Sequence, residues 1–359
     1  MKYDFTSIMD RRGRDALAID SVGRGHAPGA PREGFDVIPM WIADMNFPTI
    51  PTVPAAIIER AKHPVYGYFF PSDAYFNAIF RWQEQRHGVT GLTRENIGYE
   101  NGVLGGVVSA LNVFCSKGGN VLLHSPTYTG FTGALGNNGY NMILSPLVKD
   151  ENGVWRMDFE DMEKKIRENA VKLLLFCSPH NPVGRVWKRE ELEKVAALCL
   201  KYHVTLVSDE IHSDIVYKGH KHQMMASISE EIADITVTCT APSKTFNVAG
   251  LQLSNIIISN PKLREKFKHE VMQAGYSQPN LMGMEACQAA YENGEEWLEE
   301  LLVYLQGNVD FVRDYLKQEI PKINLIEPEG TYLLWLDCRE LGLSVEELEH
   351  LVVDKANLW

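Results

Sequence analysis

The chain lacks most of the features that would assign a protein to a class at sight. No apolar run approaches the roughly 20 residues that cross a bilayer; one of the longest, Leu173-Leu-Leu-Phe-Cys177, is five residues long behind Lys172. No membrane partner is expected. The opening Met1-Lys-Tyr-Asp-Phe-Thr has no apolar core of the kind a secretory signal needs. The six cysteines, at 115, 177, 199, 239, 287 and 338, form no Cys-x-x-Cys pair. Several fall inside apolar strand or helix patterns, which predicts reduced core thiols in a cytoplasmic protein. No cluster of Lys and Arg offsets the net charge of −12, so a nucleic-acid partner is not expected. No His-Glu-x-x-His and no Gly-x-Gly-x-x-Gly after a first strand is present, and there is no repeat or low-complexity tract.

What remains is an ordinary globular composition, 45% apolar and 23% charged, over 359 residues. Single cores stop growing at roughly 250–300 residues, so two domains are expected. Residues 1–47 are loop-like and rich in Gly, Pro and charge. From about residue 100 helices and strands alternate. Helices are predicted at 102–116, 128–136, 158–168 and 188–202, the last with Leu192, Val195, Ala196 and Cys199 on one face. Short strands are predicted at 121–124, 142–144, 172–177, 204–208, 235–239 and 254–259. That alternation implies an α/β fold, with a mostly parallel sheet covered on both faces. After Pro279 a long helix over 295–319 precedes two strands, 322–326 and 331–337, and a helix from Ser344, together a small α+β unit.

Ligands of open α/β sheets bind beyond the carboxyl ends of the strands. Tyr128, Asn181, Asp209 and Lys244 each fall just after a predicted strand or at the start of the next helix. Lys244, in Ala241-Pro-Ser-Lys-Thr-Phe, is either a surface lysine or a desolvated amine able to form an imine with an aldehyde. Asp209, ending Val204-Thr-Leu-Val-Ser, is either an N-cap or a carboxylate that keeps a pyridine nitrogen protonated. Asn181, in Pro179-His-Asn-Pro182, opens a turn or donates its amide to a phenolate oxygen. Tyr128 is a partly buried tyrosine or a ring that stacks on a planar cofactor. His212, three residues past Asp209, is a further candidate for the phenolate side. Asn101-Gly-Val-Leu-Gly-Gly marks a tight turn, or opens a helix whose amides at Gly102, Val103 and Leu104 suit a phosphate, with the Ser243 hydroxyl added. The combination points to pyridoxal 5′-phosphate (PLP) as cofactor. A metal-dependent hydrolase built on Asp209, His212, Asp214, His220 and His222 is the reading from another class; its ligand spacing matches no zinc motif, and no metal is expected.

Taken together, Trp41-Ile-Ala-Asp-Met-Asn-Phe, Tyr66-Gly-Tyr, Ser125-Pro-Thr-Tyr, Cys177-Ser-Pro-His-Asn-Pro-Val-Gly, Ser208-Asp-Glu-Ile-His and Ala241-Pro-Ser-Lys-Thr-Phe-Asn-Val-Ala-Gly-Leu-Gln resemble the fold-type I PLP enzymes of the aspartate aminotransferase superfamily. More narrowly, they resemble its cystathionine β-lyase (C–S lyase) branch, across essentially the whole chain. The resemblance implies Lys244 as Schiff-base lysine, Asp209 at the pyridinium, Asn181 at the phenolate and Tyr128 on the ring. It implies a homodimer in which Tyr68 reaches the phosphate of the neighbouring subunit. It also implies a large PLP-binding domain over 48–288 and a small domain made of 1–47 and 289–359.

Three departures stand out. Gln252 occupies the place where many aminotransferases carry a phosphate-binding arginine, and Ala241 the place of a Ser or Thr. The family's carboxylate-gripping arginine comes from a segment expected to begin about where this chain ends, at Trp359, so the small domain is expected to be incomplete. The implied activity is α,β-elimination of cystathionine or a related sulfur amino acid to pyruvate, ammonia and a thiol. An aminotransferase is the alternative within the class, and a PLP-binding protein without turnover a third possibility.

Overall fold

The computed structural model describes residues 1–275 and 278–358 of the 359. Its central strands are apolar at consecutive positions because both faces of their sheet are buried. Successive residues of a strand point to opposite sides. Accordingly Leu173, Leu175 and Cys177 join one core cluster with Val121 and Val207, while Leu174 and Phe176 join another with Leu122 and Leu206. Seven strands form the sheet: β1 (Ile97–Glu100), β2 (Asn120–Ser125), β3 (Asn141–Pro146), β4 (Leu173–Cys177), β5 (Thr205–Asp209), β6 (Thr236–Thr240) and β7 (Ser254–Ile257). Their order is β1-β7-β6-β5-β4-β2-β3. From β3 to β6 all neighbours are parallel, whereas β7 runs antiparallel to β6 and β1 antiparallel to β7. The sheet is mixed and mostly parallel, with helices on both faces, as the alternating pattern predicts.

Helix Gly102–Phe114 buries Val103, Val107, Ala110 and Leu111 on one face of the sheet. Helix Arg189–Tyr202 covers the other with Leu192, Val195, Ala196 and Cys199, the four residues its periodicity singles out. A third cluster joins Thr52–Ala61, Asp73–His87, Leu281–Asn293 and Glu295–Glu319, centred on Trp82, Tyr291, Phe246 and Trp297. Trp82 stacks on Tyr291 with ring centroids 5.0 Å apart. Phe5 packs on Trp297 and Tyr304, which fastens the N-terminal segment to the long helix. Among the described residues no helix is long and apolar enough to cross a membrane, and the six cysteines are unpaired.

The sequence reading assigns no element to β1 or to the helices Thr52–Ala61, Asp73–His87, Pro261–Gln273 and Leu281–Asn293. It also extends the last two strands too far. They form a short antiparallel hairpin, Asn324–Ile326 with Trp335–Asp337. The residues between them are held elsewhere. Glu329 pairs with the buried Arg185 at 2.8 Å and accepts from the Val186 amide at 2.8 Å. The Tyr217 amide donates to the Glu329 carbonyl at 3.0 Å, and the Thr331 amide to the Ile215 carbonyl at 2.8 Å. This stretch is stitched to the loops beyond β4 and β5 and cannot also extend a hairpin ladder.

Candidate active site

The strand order reverses between β2 and β4. Chain leaving β2 turns outward to β3, and chain leaving β4 proceeds the other way to β5 and β6. Such a reversal opens a crevice at the carboxyl ends of the strands. Tyr128 follows β2, Asn181 follows β4, Asp209 is the last residue of β5, and Lys244 lies four residues beyond β6. Register puts Cys177 and Cys239 beside Asp209 on its two neighbouring strands. The structure thus gathers on one rim four residues that the sequence spreads over more than a hundred positions.

Asp209 is buried, 5% exposed, and among the described residues its carboxylate accepts one hydrogen bond, from the Ile211 amide at 3.0 Å. No cation of the described residues forms an ion pair with it. Burial therefore pushes its carboxyl up to about 7; the Ile211 bond opposes this, the Glu210 charge adds to it, and the Lys244 charge opposes it. Lys244 sits in the short helix Pro242–Thr245 and donates to the Ala43 carbonyl at 2.8 Å. Burial holds its amine below the ordinary lysine value, against the pull of Asp44 and Asp209. His212 is buried, and burial reinforced by the Lys244 charge brings its imidazole down to about 3, so it is neutral at neutral pH. Its Nδ1 has no hydrogen-bond partner among the described residues.

The Tyr128 ring lies over Gly130, where any side chain would strike it. Burial raises the Tyr128 phenol, as do the nearby Asp209 and Cys177. Asn181 is held through its backbone, with its amide 3.4 Å from the Cys177 sulfur. At the mouth of helix Gly102–Phe114, Asn101 makes no side-chain cap, which leaves the first-turn amides of Gly102, Val103 and Leu104 facing outward. Gly102 has φ +70°, and a methyl group there would stand 3.7 Å from the Gln252 side-chain oxygen. Gln252 therefore borders this helix end, in the place expected of an arginine. Ser243 is buried in the turn that carries Lys244.

These residues fit a phosphorylated pyridine aldehyde. A desolvated carboxylate without a cation can receive a pyridinium N–H, an orphaned imidazole nitrogen has an acceptor or donor to gain, and an uncapped helix end can take a phosphate. Tyr68 is not gathered with the others. It stands on the strap between Thr52–Ala61 and Asp73–His87 and is fully exposed. The five residues of the metal reading do not converge either. Asp214 is engaged by His87, Trp82 and Thr245, and His222 by Glu210. No cluster of three or more metal-ligating side chains exists among the described residues.

The sequence reading misses two neighbours of Lys244. The Ala43 carbonyl also accepts from the Tyr332 hydroxyl at 3.0 Å, and the Tyr332 ring meets His212 edge-on, centroids 5.7 Å apart. Asp44, beside it, is paired with Arg11 at 2.6 Å. The sequence signal for Ala43 and Asp44 was the Trp41-Ile-Ala-Asp-Met stretch; Tyr332 had none.

Comparison with known proteins extends this geometry. Residues 36–357 match the aminotransferase class I and II family. Cystathionine beta-lyase PatB of Bacillus subtilis strain 168 is 40% identical over 323 residues, 90% of this chain and 83% of the relative. The crystal structure of cystalysin from Treponema denticola, which contains pyridoxal 5′-phosphate, superposes with a TM-score of 0.93 at 35% identity, covering 100% of this chain and 90% of that one. The PLP-bound C-S lyase from Staphylococcus hominis superposes with a TM-score of 0.89 at 32% identity, covering 100% and 89%. Pyridoxal 5′-phosphate is the cofactor of this group. With likeness running through nine-tenths of its length, the chain belongs to the aminotransferase class I and II family, on the branch of its C–S lyases.

Proposed function

We propose that the protein cleaves the Cβ–S bond of L-cystathionine, or of a related cysteine S-conjugate, by α,β-elimination to pyruvate, ammonia and a thiol. One juxtaposition carries the reading: a partly buried amine of lowered pKa, Lys244, shares a sheet rim with a buried carboxylate, Asp209, that forms no ion pair among the described residues. The substrate class follows the relative named as a cystathionine beta-lyase.

When bound, pyridoxal phosphate supplies a covalent hold on the substrate amine and an electron-withdrawing ring conjugated to the α-carbon. The chain does the rest. Lys244, once freed by the substrate amine, would take the α-proton, and burial, which lowers its pKa, favours the neutral amine this needs. Asp209 would hold a proton on the ring nitrogen. Asn181 would donate to the phenolate oxygen, with neutral His212 as a further neighbour on that side. Tyr128 would lie against the ring face. The amides of Gly102, Val103 and Leu104 and the Ser243 hydroxyl would hold the phosphate, with Gln252 a neutral neighbour in place of a guanidinium.

We assign residues 48–288 to a large cofactor-binding domain and 1–47 with 289–359 to a small one, a division supported by the packing of Phe5 on Trp297 and Tyr304. A homodimer is supported by the strap around Tyr68. Val65, Tyr66, Tyr68 and Phe70 are each more than half exposed there, which is unusual for four large apolar side chains in sequence proximity. In that dimer Tyr68 reaches the phosphate held by the partner. The unpaired cysteines support a reducing, cytoplasmic setting.

The test is incubation of the PLP-loaded protein with L-cystathionine. Pyruvate, ammonia and thiol are expected in equal amounts, and borohydride reduction should leave the cofactor on the peptide containing Lys244. Amino transfer to a 2-oxo acid without pyruvate would overturn the lyase reading in favour of the family's aminotransferase chemistry.

A further inference from the structure

Behind the rim lies a second set of buried polar groups that the chemistry above does not use. The Asp214 carboxylate, 5% exposed, receives three side-chain donors. Oδ1 accepts from Trp82 Nε1 at 3.1 Å and from His87 Nε2 at 2.9 Å, and Oδ2 accepts from the Thr245 hydroxyl at 2.7 Å. Thr245 is fully buried and adjoins Lys244. The helix that carries both is only four residues long, Pro242–Thr245, and its closing bond runs from the Phe246 amide to the Pro242 carbonyl at 2.9 Å. A single turn of helix does not hold its own shape. Phe246, packed edge-on against Trp82 with centroids 5.5 Å apart, anchors the turn by apolar contact, which is tolerant of rotation. The Thr245–Asp214 bond is directional and is not.

A second His–carboxylate pair touches the first. Glu210, the neighbour of Asp209, accepts from His222 Nε2 at 2.7 Å, the Ser208 hydroxyl at 2.8 Å and the Met225 amide at 3.0 Å. The His87 and His222 rings meet edge to face, centroids 5.7 Å apart. Each of the two charges of the rim thus has a sequence neighbour fixed in one frame. On its outer side the frame borders a cavity of about 650 Å³ that is also lined by Arg86, Lys218, His220, Glu299 and Asp310.

We propose that Asp214 is a positioning residue for Lys244, acting through Thr245, and that this bond sets the rotation of the turn and the depth at which the lysine amine is buried. The proposal rests on the role given to Lys244 above. Asp214 needs no contact with substrate or cofactor. Its three donors, Thr245 among them, keep it ionised and so keep it a strong acceptor.

The experiment compares Thr245→Val, which keeps the shape and removes the hydroxyl, with Thr245→Ser, which keeps the hydroxyl. In cofactor-free protein, Lys244 is labelled competitively with acetic anhydride across pH and the peptide is quantified by mass spectrometry. With Thr245→Val the titration midpoint of Lys244 is expected to move up toward that of an ordinary lysine, because the turn relaxes and the amine gains solvent. In the loaded enzyme kcat is expected to fall about tenfold with KM nearly unchanged. Thr245→Ser should restore both. An unmoved midpoint and unchanged kcat in Thr245→Val, whatever its melting temperature, overturn the proposal. Should Thr245→Val not fold, His87→Ala loosens the same carboxylate from its other oxygen, and an unmoved midpoint there overturns it equally. Failure of the underlying reading is seen separately, as a borohydride adduct on a residue other than Lys244.

Discussion

Asp209 and Asp214 lie five residues apart, and both are 5% exposed, yet they are opposite kinds of buried acid. The Asp209 carboxylate has one backbone N–H and no ion pair among the described residues, and burial lifts it to about 7. Asp214 feels the same push from burial, but the donors of His87 and Thr245 and the charges of His87 and Arg86 overcome it, and its carboxyl ends below the ordinary value. The difference separates two uses of a buried charge. A carboxylate supplied with donors by its own chain is part of the scaffold. One left without them is held ready for a cation that arrives from outside.

The first way to break that comparison is to remove the amine that serves the poised acid. Lys244→Ala should lower pyruvate release by at least about 10³-fold, measured in steady state with PLP bound. The second is to neutralise each acid in turn, where opposite signs are expected. A carboxyl raised in the folded state stabilises the fold at pH below its unfolded pKa, 3.8, and loses that contribution as pH rises through about 7. Urea unfolding of cofactor-free protein should therefore find Asp209→Asn equal to its parent near pH 4 and more stable above pH 7. The gap, 7 − 3.8 = 3.2 in pKa, corresponds to about 4 kcal/mol. Comparing the pair also cancels His212, His180 and His124, whose lowered pKa values act in the other direction, with stability lost as pH falls below 6.5.

Asp214→Ala should instead destabilise the protein at neutral pH by about 3 kcal/mol, because the Trp82, His87 and Thr245 donors are left buried without an acceptor. Its lowered carboxyl places the loss of that stability on the acid side, as pH falls below the ordinary carboxylate range. The smallest effect sharpens the cofactor end of the contrast. Gly102→Ala, at φ +70°, should cost about 1 kcal/mol of stability, and fluorescence titration of PLP should show affinity weakened by a few-fold.

Much of this arrangement was legible because strand ends are legible. Residues 172–177, 204–208 and 235–239 read as short strands whose polar successors fall on one rim by the rule for open sheets, so Asn181, Asp209 and Lys244 could be grouped from the sequence. The frame behind them was not. Asp214 and His222 were visible only as part of an acid- and histidine-rich window, and a window does not say which imidazole faces which carboxylate. His87 lies 127 positions before Asp214, and Tyr332 lies 289 after Ala43. Such pairings come from tertiary packing and leave no periodic trace. Helix Leu281–Asn293 escaped for a different reason: Gly283, Met284, Ala286, Cys287, Ala289, Ala290 and Tyr291 are buried, and the polar stripe that remains, Glu285, Gln288 and Glu292, is narrow.

The oxygen on which the resting lysine docks belongs to the main chain, at Ala43, and is shared with the Tyr332 hydroxyl. No side-chain substitution at that position can delete it. A mutational scan of residue 43 would therefore leave the acceptor of the free Lys244 amine in place. Only an amide-to-ester exchange in the backbone, which weakens the carbonyl as an acceptor, reaches that atom.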